Sequence, residues 1–337
     1  MNLTNECVFA LGLRKVTHHA RTLPFPWQWH LLTLLLVLAS GASANADTLP
    51  TTSKNALVLM SDFGTTERFV ASMKGVAFGV DSSLNVQDLT HHIRPYNIWQ
   101  ASYVLAGTIE YWPQGTVFVS VVDPGVGTSR RSVVAKTRSG HFVVTPDNGS
   151  LTLIADGVGI EAVRIIDETR NRRPGTENLH TFHGRDVYSY TGARLAAGKI
   201  DFKGVGPELT QDVLRIAYQP PQRLAKRTVV GALVHTETPF GNVVTNIPQA
   251  MLAELGYDPR DNNMVRVTIT KNDKTQFDAE IPFTNSFGFV GKGEPLLYSD
   301  SLETIGLAVN QESFAAKYGT GVGAGWAIQI APMGRSQ

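Results

Sequence analysis

Cysteine is almost missing from this 337-residue sequence; the single one, Cys7, lies near the N-terminus. One cysteine closes no internal disulfide, and Cys7 falls in a segment that reads as a leader. The chain beyond it therefore offers no thiol nucleophile, which excludes catalysis by cysteine. Charge of one sign is lacking too: 30 Lys and Arg face 29 Asp and Glu, a net charge of +1. Without a basic footprint for phosphate backbones, nucleic acid is not an expected partner. Long apolar runs are also absent, since no stretch approaches the roughly 18 residues that suggest a membrane helix. The run LLTLLLVLA at 31–39 is the nearest; it follows Arg14, Lys15 and Arg21 and precedes SGASANA. A basic region, a short apolar core and small residues are the order of a secretory signal peptide, expected here over residues 1–46. Ala42-x-Ala44 and Ala44-x-Ala46 are its candidate cleavage sites. A periplasmic or secreted protein follows, with no stable membrane span after cleavage.

What is present between residues 55 and 216 alternates strand-like with helix-like segments, the pattern of an α/β domain around a mainly parallel sheet. Short apolar or β-branched runs at 56–60, 84–89, 116–123 and 162–166 predict strands. Apolar residues near the 3.6 period predict helices at 67–80 and 98–111. Residues 132–145 predict a hairpin around Ser139-Gly140, the turn PDNGS leads into a helix LTLIADG, and 183–198 predicts a helix ended by Gly198. Residues 217–227, beginning AYQPPQR, have the character of a linker. From 228 to 332 short strands separated by turns predict a small antiparallel β-barrel, with a short helix at 250–255.

Asp62, Asp88 and Asp123 all fall where predicted strands end, the edge at which open α/β sheets bind ligands. DPGVGTSRR, residues 123–131, places glycines directly after a strand, yet no Gly-Lys-Ser/Thr follows, so it is not a phosphate-binding P-loop. Taken alone it is equally a structural turn whose Asp pairs with a downstream Arg. His183 starts a predicted helix, where an imidazole near a carboxylate takes a proton near neutral pH, as a general base requires; a capping or packed histidine is the plain alternative. His180 and His183 have H-x-x-H spacing without the further ligands that zinc needs, so no metal site is expected. The adjacent His91 and His92 diverge on regular structure and read as structural.

The ordered segments SDFGTTERFVASMKG, DLTHHIRPYNI, VSVVDPGVGTSRRSV, PDNGSL, TFHGRDVY, FGNVVTNI and SLETIGLAVNQESFA together resemble the S-adenosyl-L-methionine hydroxide adenosyltransferases, relatives of fluorinating and chlorinating enzymes. The resemblance runs from about residue 56 nearly to the C-terminus. It implies an N-terminal α/β domain, a C-terminal β-barrel, and hydrolysis of S-adenosyl-L-methionine to adenosine and L-methionine by a metal-independent enzyme without a cofactor. Carried over by position, the water-activating residues are Asp123, Arg130 and His183. Halide-using relatives lack that trio and carry an extra loop that is not found here.

The resemblance implies substrate contacts as well. Asp62 takes the ribose hydroxyls, Tyr96 lines the nucleoside pocket, Phe240 and Asn242 meet adenine, and Ser301 meets the methionine carboxylate. Glu237 stands where halogenating relatives have an aspartate for the methionine ammonium, and Glu67 replaces another aspartate, each one methylene longer. The family forms homotrimers with the pocket between subunits, and the same is expected here. Two other readings stay open: halide-dependent synthesis of a 5′-halo-5′-deoxyadenosine, and an exported nucleoside-binding protein without catalysis.

Overall fold

The buried runs LVLMS and VFVSV form adjacent parallel strands at the centre of the first of two sheets, where β-branched and large apolar residues pack on both faces. The structure is a computed structural model that describes residues 55–333. The expected signal peptide, its cleavage sites and Cys7 lie outside the described residues. The described residues fall within one compact unit.

The first sheet contains β1 (Leu57–Ser61), β2 (Val86–Thr90), β3 (Val117–Val121), β4 (Ser132–Thr137), β5 (Phe142–Pro146) and β6 (Ile160–Ile165), in the order β2-β1-β3-β5-β4-β6. Pairings β1 with β2, β1 with β3 and β3 with β5 are parallel; β4 pairs antiparallel with β5 and with β6. The expected hairpin is the β4–β5 pair. Helix α1 (Arg68–Val80) and residues 184–196 cover one face around Leu57, Leu59, Val119 and Met73. The other face, around Val58, Met60 and Phe118, is covered by α2 (Ile98–Ala106) and α3 (Thr152–Asp156). A short helix, α4 (Glu168–Asn171), follows β6.

Two expected helices differ from those observed. The one at 98–111 ends at Ala106 and resumes as a 3-10 turn at Ile109–Tyr111. Gly107 closes it, and a Cβ there would lie 2.9 Å from Leu302 Cδ1, so the break admits a side chain from the turn between two strands of the second sheet, residues 300–303. The helix at 183–198 begins as a π-helix, Gly184–Ser189, before α5 (Tyr190–Ala196). Such widened turns recur at functional sites. Here it follows His183 directly.

In the second sheet, β7 (Gln222–Leu224), β8 (Thr228–Glu237), β9 (Asn242–Pro248), β10 (Asn263–Lys271), β11 (Lys274–Phe283), β12 (Pro295–Ser299), β13 (Thr304–Val309) and β14 (Trp326–Pro332) run in the order β14-β10-β11-β12-β13-β9-β8-β7. Pairing of β14 with β8 closes seven of these strands into a barrel. All its pairings are antiparallel except β11 with β12. Closure leaves few free edges. The interior is apolar, built from residues such as Leu233, Val267, Phe283 and Ile330. The strand β7 lies inside the stretch expected as a linker, and α6 (Gln249–Ala253) is the expected short helix. Trp99 of α2 packs against Ala232, Val234 and Val244 and donates its indole N–H to the Val234 carbonyl at 2.7 Å, joining the two sheets.

Candidate active site

Because β1 and β3 are parallel neighbours with Ser61 opposite Val121, the residues that follow them emerge at the same edge of the sheet. Asp62 and Asp123 therefore stand at one end, as expected of ligand-binding carboxylates. Asp62 Oδ2 accepts from the Tyr96 backbone N–H at 2.9 Å; burial raises its pKa and the nearby Asp123 adds to the rise. Tyr96 reaches this position with a φ of 66° and is mostly exposed. Asp88, by contrast, pairs with Lys74 at 2.6 Å and with His91 at 3.1 Å. His91 also meets Ser61 Oγ at 2.7 Å, so the structural reading of His91 agrees with the fold.

After Asp123 the chain turns twice, Val126 N–H to the Asp123 carbonyl and Thr128 N–H to the Gly125 carbonyl, which returns Arg130 over Asp123. Gly127 has φ +79°, and a Cβ there would lie 2.7 Å from the His180 carbonyl. Glycine is thus what lets this loop approach the segment that carries His183. Arg130 Nε donates to Asp123 Oδ1 at 2.9 Å and Nη2 to Oδ2 at 2.5 Å. The fork is nearly dry, with side-chain exposures of 10% for Arg130 and 5% for Asp123. Burial alone would lower the Arg130 pKa; the Asp123 hydrogen bonds, together with the electrostatic effects of Tyr188, Asp123 and Glu168, outweigh it and raise it. Tyr188 donates to Asp123 Oδ2 at 3.3 Å and lies under the Arg130 guanidinium.

His183 is buried with a guanidinium at each ring nitrogen: Arg130 Nη2 lies 3.0 Å from Nδ1, and Arg172 Nη2 lies 3.2 Å from Nε2. A neutral imidazole has one acceptor nitrogen, so only one of these approaches is a hydrogen bond. Burial lowers the His183 pKa; Arg130 and Arg172 lower it further, while Glu168 and Asp123 oppose them. No hydrogen bond joins Asp123 to His183 directly among the described residues; both meet Arg130 Nη2. The expected Asp–His pair is bridged by the arginine.

Sequence reasoning missed the rest of this cluster. Arg130 Nη1 donates to Ser132 Oγ at 2.8 Å, and Ser132 Oγ donates to Glu168 Oε1 at 3.2 Å. Glu168 Oε2 accepts from Arg172, which returns to His183. Arg130, Ser132, Glu168, Arg172 and His183 thus form a ring of contacts, hydrogen-bonded except at the His183 nitrogen that carries its proton, and two carboxylates, Asp123 and Glu168, balance two guanidiniums. The trace of Glu168 and Arg172 in the sequence is a polar stretch rich in Arg, Asn and Pro after β6.

The remaining expected residues gather elsewhere. Glu237, Phe240, Asn242 and Ser301 line one cleft of about 910 Å³ at the end of the barrel, together with Phe287 and Tyr298. Its lining includes none of Asp62, Tyr96, Asp123, Arg130 and His183. Asn242 donates to Glu237 Oε2 at 3.0 Å, and the Tyr298 hydroxyl lies 3.4 Å from the same oxygen. Burial and then the neighbouring Glu237 push the Tyr298 pKa up. Phe240 is 68% exposed. Glu67 precedes α1 and is exposed, with no side-chain bond to the helix end. Among the described residues no group of three or more His, Cys, Asp or Glu side chains is placed to hold a metal ion, and no helix is long and apolar enough to cross a membrane.

Comparison with known proteins agrees with the architecture. The chain is 33% identical over 247 residues to the (R)-S-adenosyl-L-methionine hydrolase of Methanocaldococcus jannaschii, covering 69% of this chain and 86% of that protein. It is 26% identical over 297 residues to a fluorinase of Actinoplanes sp., covering 80% of this chain and 96% of the fluorinase. The crystal structure of an uncharacterized conserved protein from Thermotoga maritima superposes with a TM-score of 0.73 at 31% identity, covering 82% of this chain and 99% of that one. Residues 57–206 match the SAM hydroxide adenosyltransferase N-terminal domain and residues 234–327 the corresponding C-terminal domain, so the chain belongs to the SAM hydroxide adenosyltransferase family.

Proposed function

We infer that the protein hydrolyses S-adenosyl-L-methionine to adenosine and L-methionine. The reading rests on one observation above the others: Asp123, Arg130 and His183 converge, beside Asp62, at the strand ends of the first sheet. Relatives named as (R)-S-adenosyl-L-methionine hydrolases support it.

In this reading water attacks ribose C5′ in line with sulfur. The O–C5′ bond forms as C5′–S breaks, and the electron pair leaves with sulfur in neutral methionine. The sulfonium needs no general acid, so the protein's work is to aim and deprotonate water. His183 enters the reaction neutral because burial and two guanidiniums disfavour its charged form. Its one acceptor nitrogen exchanges a guanidinium N–H for water, takes the water proton and later gives it to solvent, while Arg130 and Arg172 favour hydroxide nearby. Asp123 holds Arg130 by its fork, and Asp62 accepts from the ribose hydroxyls. Phe240 and Asn242 hold adenine, Tyr96 lines the nucleoside, and Glu237 and Ser301 take the amino-acid end.

Hydroxide meeting a cationic substrate loses charge in the transition state, which a water-poor pocket favours over a Lewis acid. Turnover in EDTA is therefore expected to persist; its loss, with recovery on adding a divalent metal, would replace this mechanism. The cluster and the barrel cleft have separate linings in one chain, which supports a homotrimer completing each pocket between subunits. Light scattering showing an active monomer would remove that assembly. The leader-like residues 1–46 extend the reading to a periplasmic or secreted enzyme.

The deciding experiment incubates the purified protein with S-adenosyl-L-methionine and identifies products by mass, with and without fluoride or chloride. Adenosine and methionine are expected in every arm. A 5′-halo-5′-deoxyadenosine would favour the halide reading, and binding without product the non-catalytic one.

A further inference from the structure

A second cavity, about 660 Å³, lies between α1 and α5 and shares no lining residue with the Asp123, Arg130 and His183 cluster. One wall carries Arg173, Arg185, Arg194 and Lys199, and no Asp or Glu lines it. Three of these cations are held in place. Arg185 is forked onto the fully buried Asp186 at 2.7 and 2.8 Å. Arg194 donates to the Arg170 carbonyl and to Asn171 Oδ1, and Lys199 to the Val80 carbonyl. A guanidinium has five N–H donors, so Arg185 and Arg194 keep some free for a ligand. Arg173 has no side-chain partner among the described residues.

The facing wall is the part of α1 that carries Gly75 and Gly79, one turn apart. Glycine inside a helix weakens it, and the usual reasons for tolerating one are a positive φ or a close neighbour. Neither applies: nothing lies within 4 Å of a Cβ built at either position. What the pair provides is room opposite the cations.

We propose that this cavity binds an oligophosphate anion, one with two or more linked phosphate groups, outside the reaction centre. Cations from the loop after α4, from the π-helix, from the last turn of α5 and from just beyond it converge on the cavity, which suits a multiply charged and extended ligand better than a single small anion. The volume falls in the range of small-molecule pockets. Inorganic pyrophosphate and a nucleoside diphosphate share this chemistry.

The test is calorimetric titration of the full chain with pyrophosphate and, separately, with ADP, at low salt and again at high salt. Saturable binding to one site, weakened by salt, is expected. Arg173→Glu and Gly75→Leu should each weaken it at least about tenfold, the loss expected for one charge-assisted contact or a filled pocket. Neither residue belongs to the reaction centre, so adenosine formation should be unchanged in both. Gly75→Leu should also leave the melting temperature unchanged or raised, because the position is open and leucine favours helix. Tighter binding of ADP than of pyrophosphate would make the nucleoside part of the ligand; equal binding would assign the site to the phosphates alone. No heat at millimolar pyrophosphate, binding unaffected by both substitutions, or displacement of pyrophosphate by adenosine would each overturn the proposal.

Discussion

The cluster at the strand ends of the first sheet and the cleft at the end of the barrel are built on opposite principles. In the cluster most polar atoms are already matched: Asp123 is forked to Arg130, and Arg130 is linked on through Ser132, Glu168 and Arg172. In the cleft an aromatic ring, Phe240, stands 68% exposed, and Ser301 faces solvent. Preorganised groups suit transition-state work, since they need no reorganisation when charge moves. Exposed apolar and polar groups in a groove suit binding, where their burial waits for a ligand. On the proposed reading turnover belongs to one region and affinity to the other, which substitutions separate by whether kcat or KM moves.

The largest effect is expected in the cluster. His183→Ala removes the proton acceptor, and Asp123→Asn removes the charge that fixes Arg130; each should lower adenosine formation by about 10²–10⁴-fold, the usual share of general-base catalysis. Nucleoside binding, read by calorimetry, should survive. Asn is preferred to Ala at 123 because its amide oxygen still accepts one Arg130 N–H and fills the volume, although either change breaks a buried ion pair. Wild-type turnover in both variants would dissolve the distinction between the regions.

A smaller effect, and a sharper one, concerns Arg172. His183 has its pKa lowered from 6.5 by burial first and by the two guanidiniums next. The active neutral form therefore persists as pH falls through 6.5, and the acid limb of the rate profile should lie below that value. Folding follows the same sign: the unfolded chain takes up the proton first, so this contribution to stability is complete above pH 6.5 and declines as pH falls toward the lowered value. Arg172→Ala removes one like charge and should move the acid limb upward while lowering kcat by about tenfold, a modest fraction of the acid–base contribution. Arg172→Lys keeps the charge and should restore most of the pH profile. An acid limb unchanged in Arg172→Ala would show that Arg172 does not act on the imidazole.

How much of this was legible in the sequence depends on how local the signal is. Asp123 and Arg130 sit in one short segment, DPGVGTSRR, and the β1 and β3 runs are apolar enough to read as buried strands, so the sheet and its carboxylate edge were visible. His183 was visible as a residue type at a helix start. Its surroundings were not, because Glu168 and Arg172 come from a loop without periodicity and reach His183 only through the packing of α4 beside the π-helix. The π-turn itself was hidden, since a run such as HGRDVYSYTGARLAAG has the same apolar spacing whether one turn is widened or not. The break at Gly107 was hidden for another reason: its close neighbour, Leu302, comes from the distant turn between β12 and β13.

The smallest effects belong to the cleft, where the comparison is most easily broken. If Phe240 is a binding surface only, Phe240→Ala loses the burial of one aromatic face, about 1.5–3 kcal/mol if burial is complete, and KM should rise by roughly ten- to a hundredfold with kcat nearly unchanged. Ser301→Ala removes one hydroxyl and should raise KM only a few-fold, in keeping with about 1 kcal/mol for a neutral hydrogen bond. Both are measured by steady-state adenosine release across substrate concentration, with melting curves to confirm the barrel, whose core neither side chain enters. A fall in kcat with KM unchanged in Phe240→Ala would mean that the cleft acts in the transition state, so that catalysis would extend from the strand ends into the barrel.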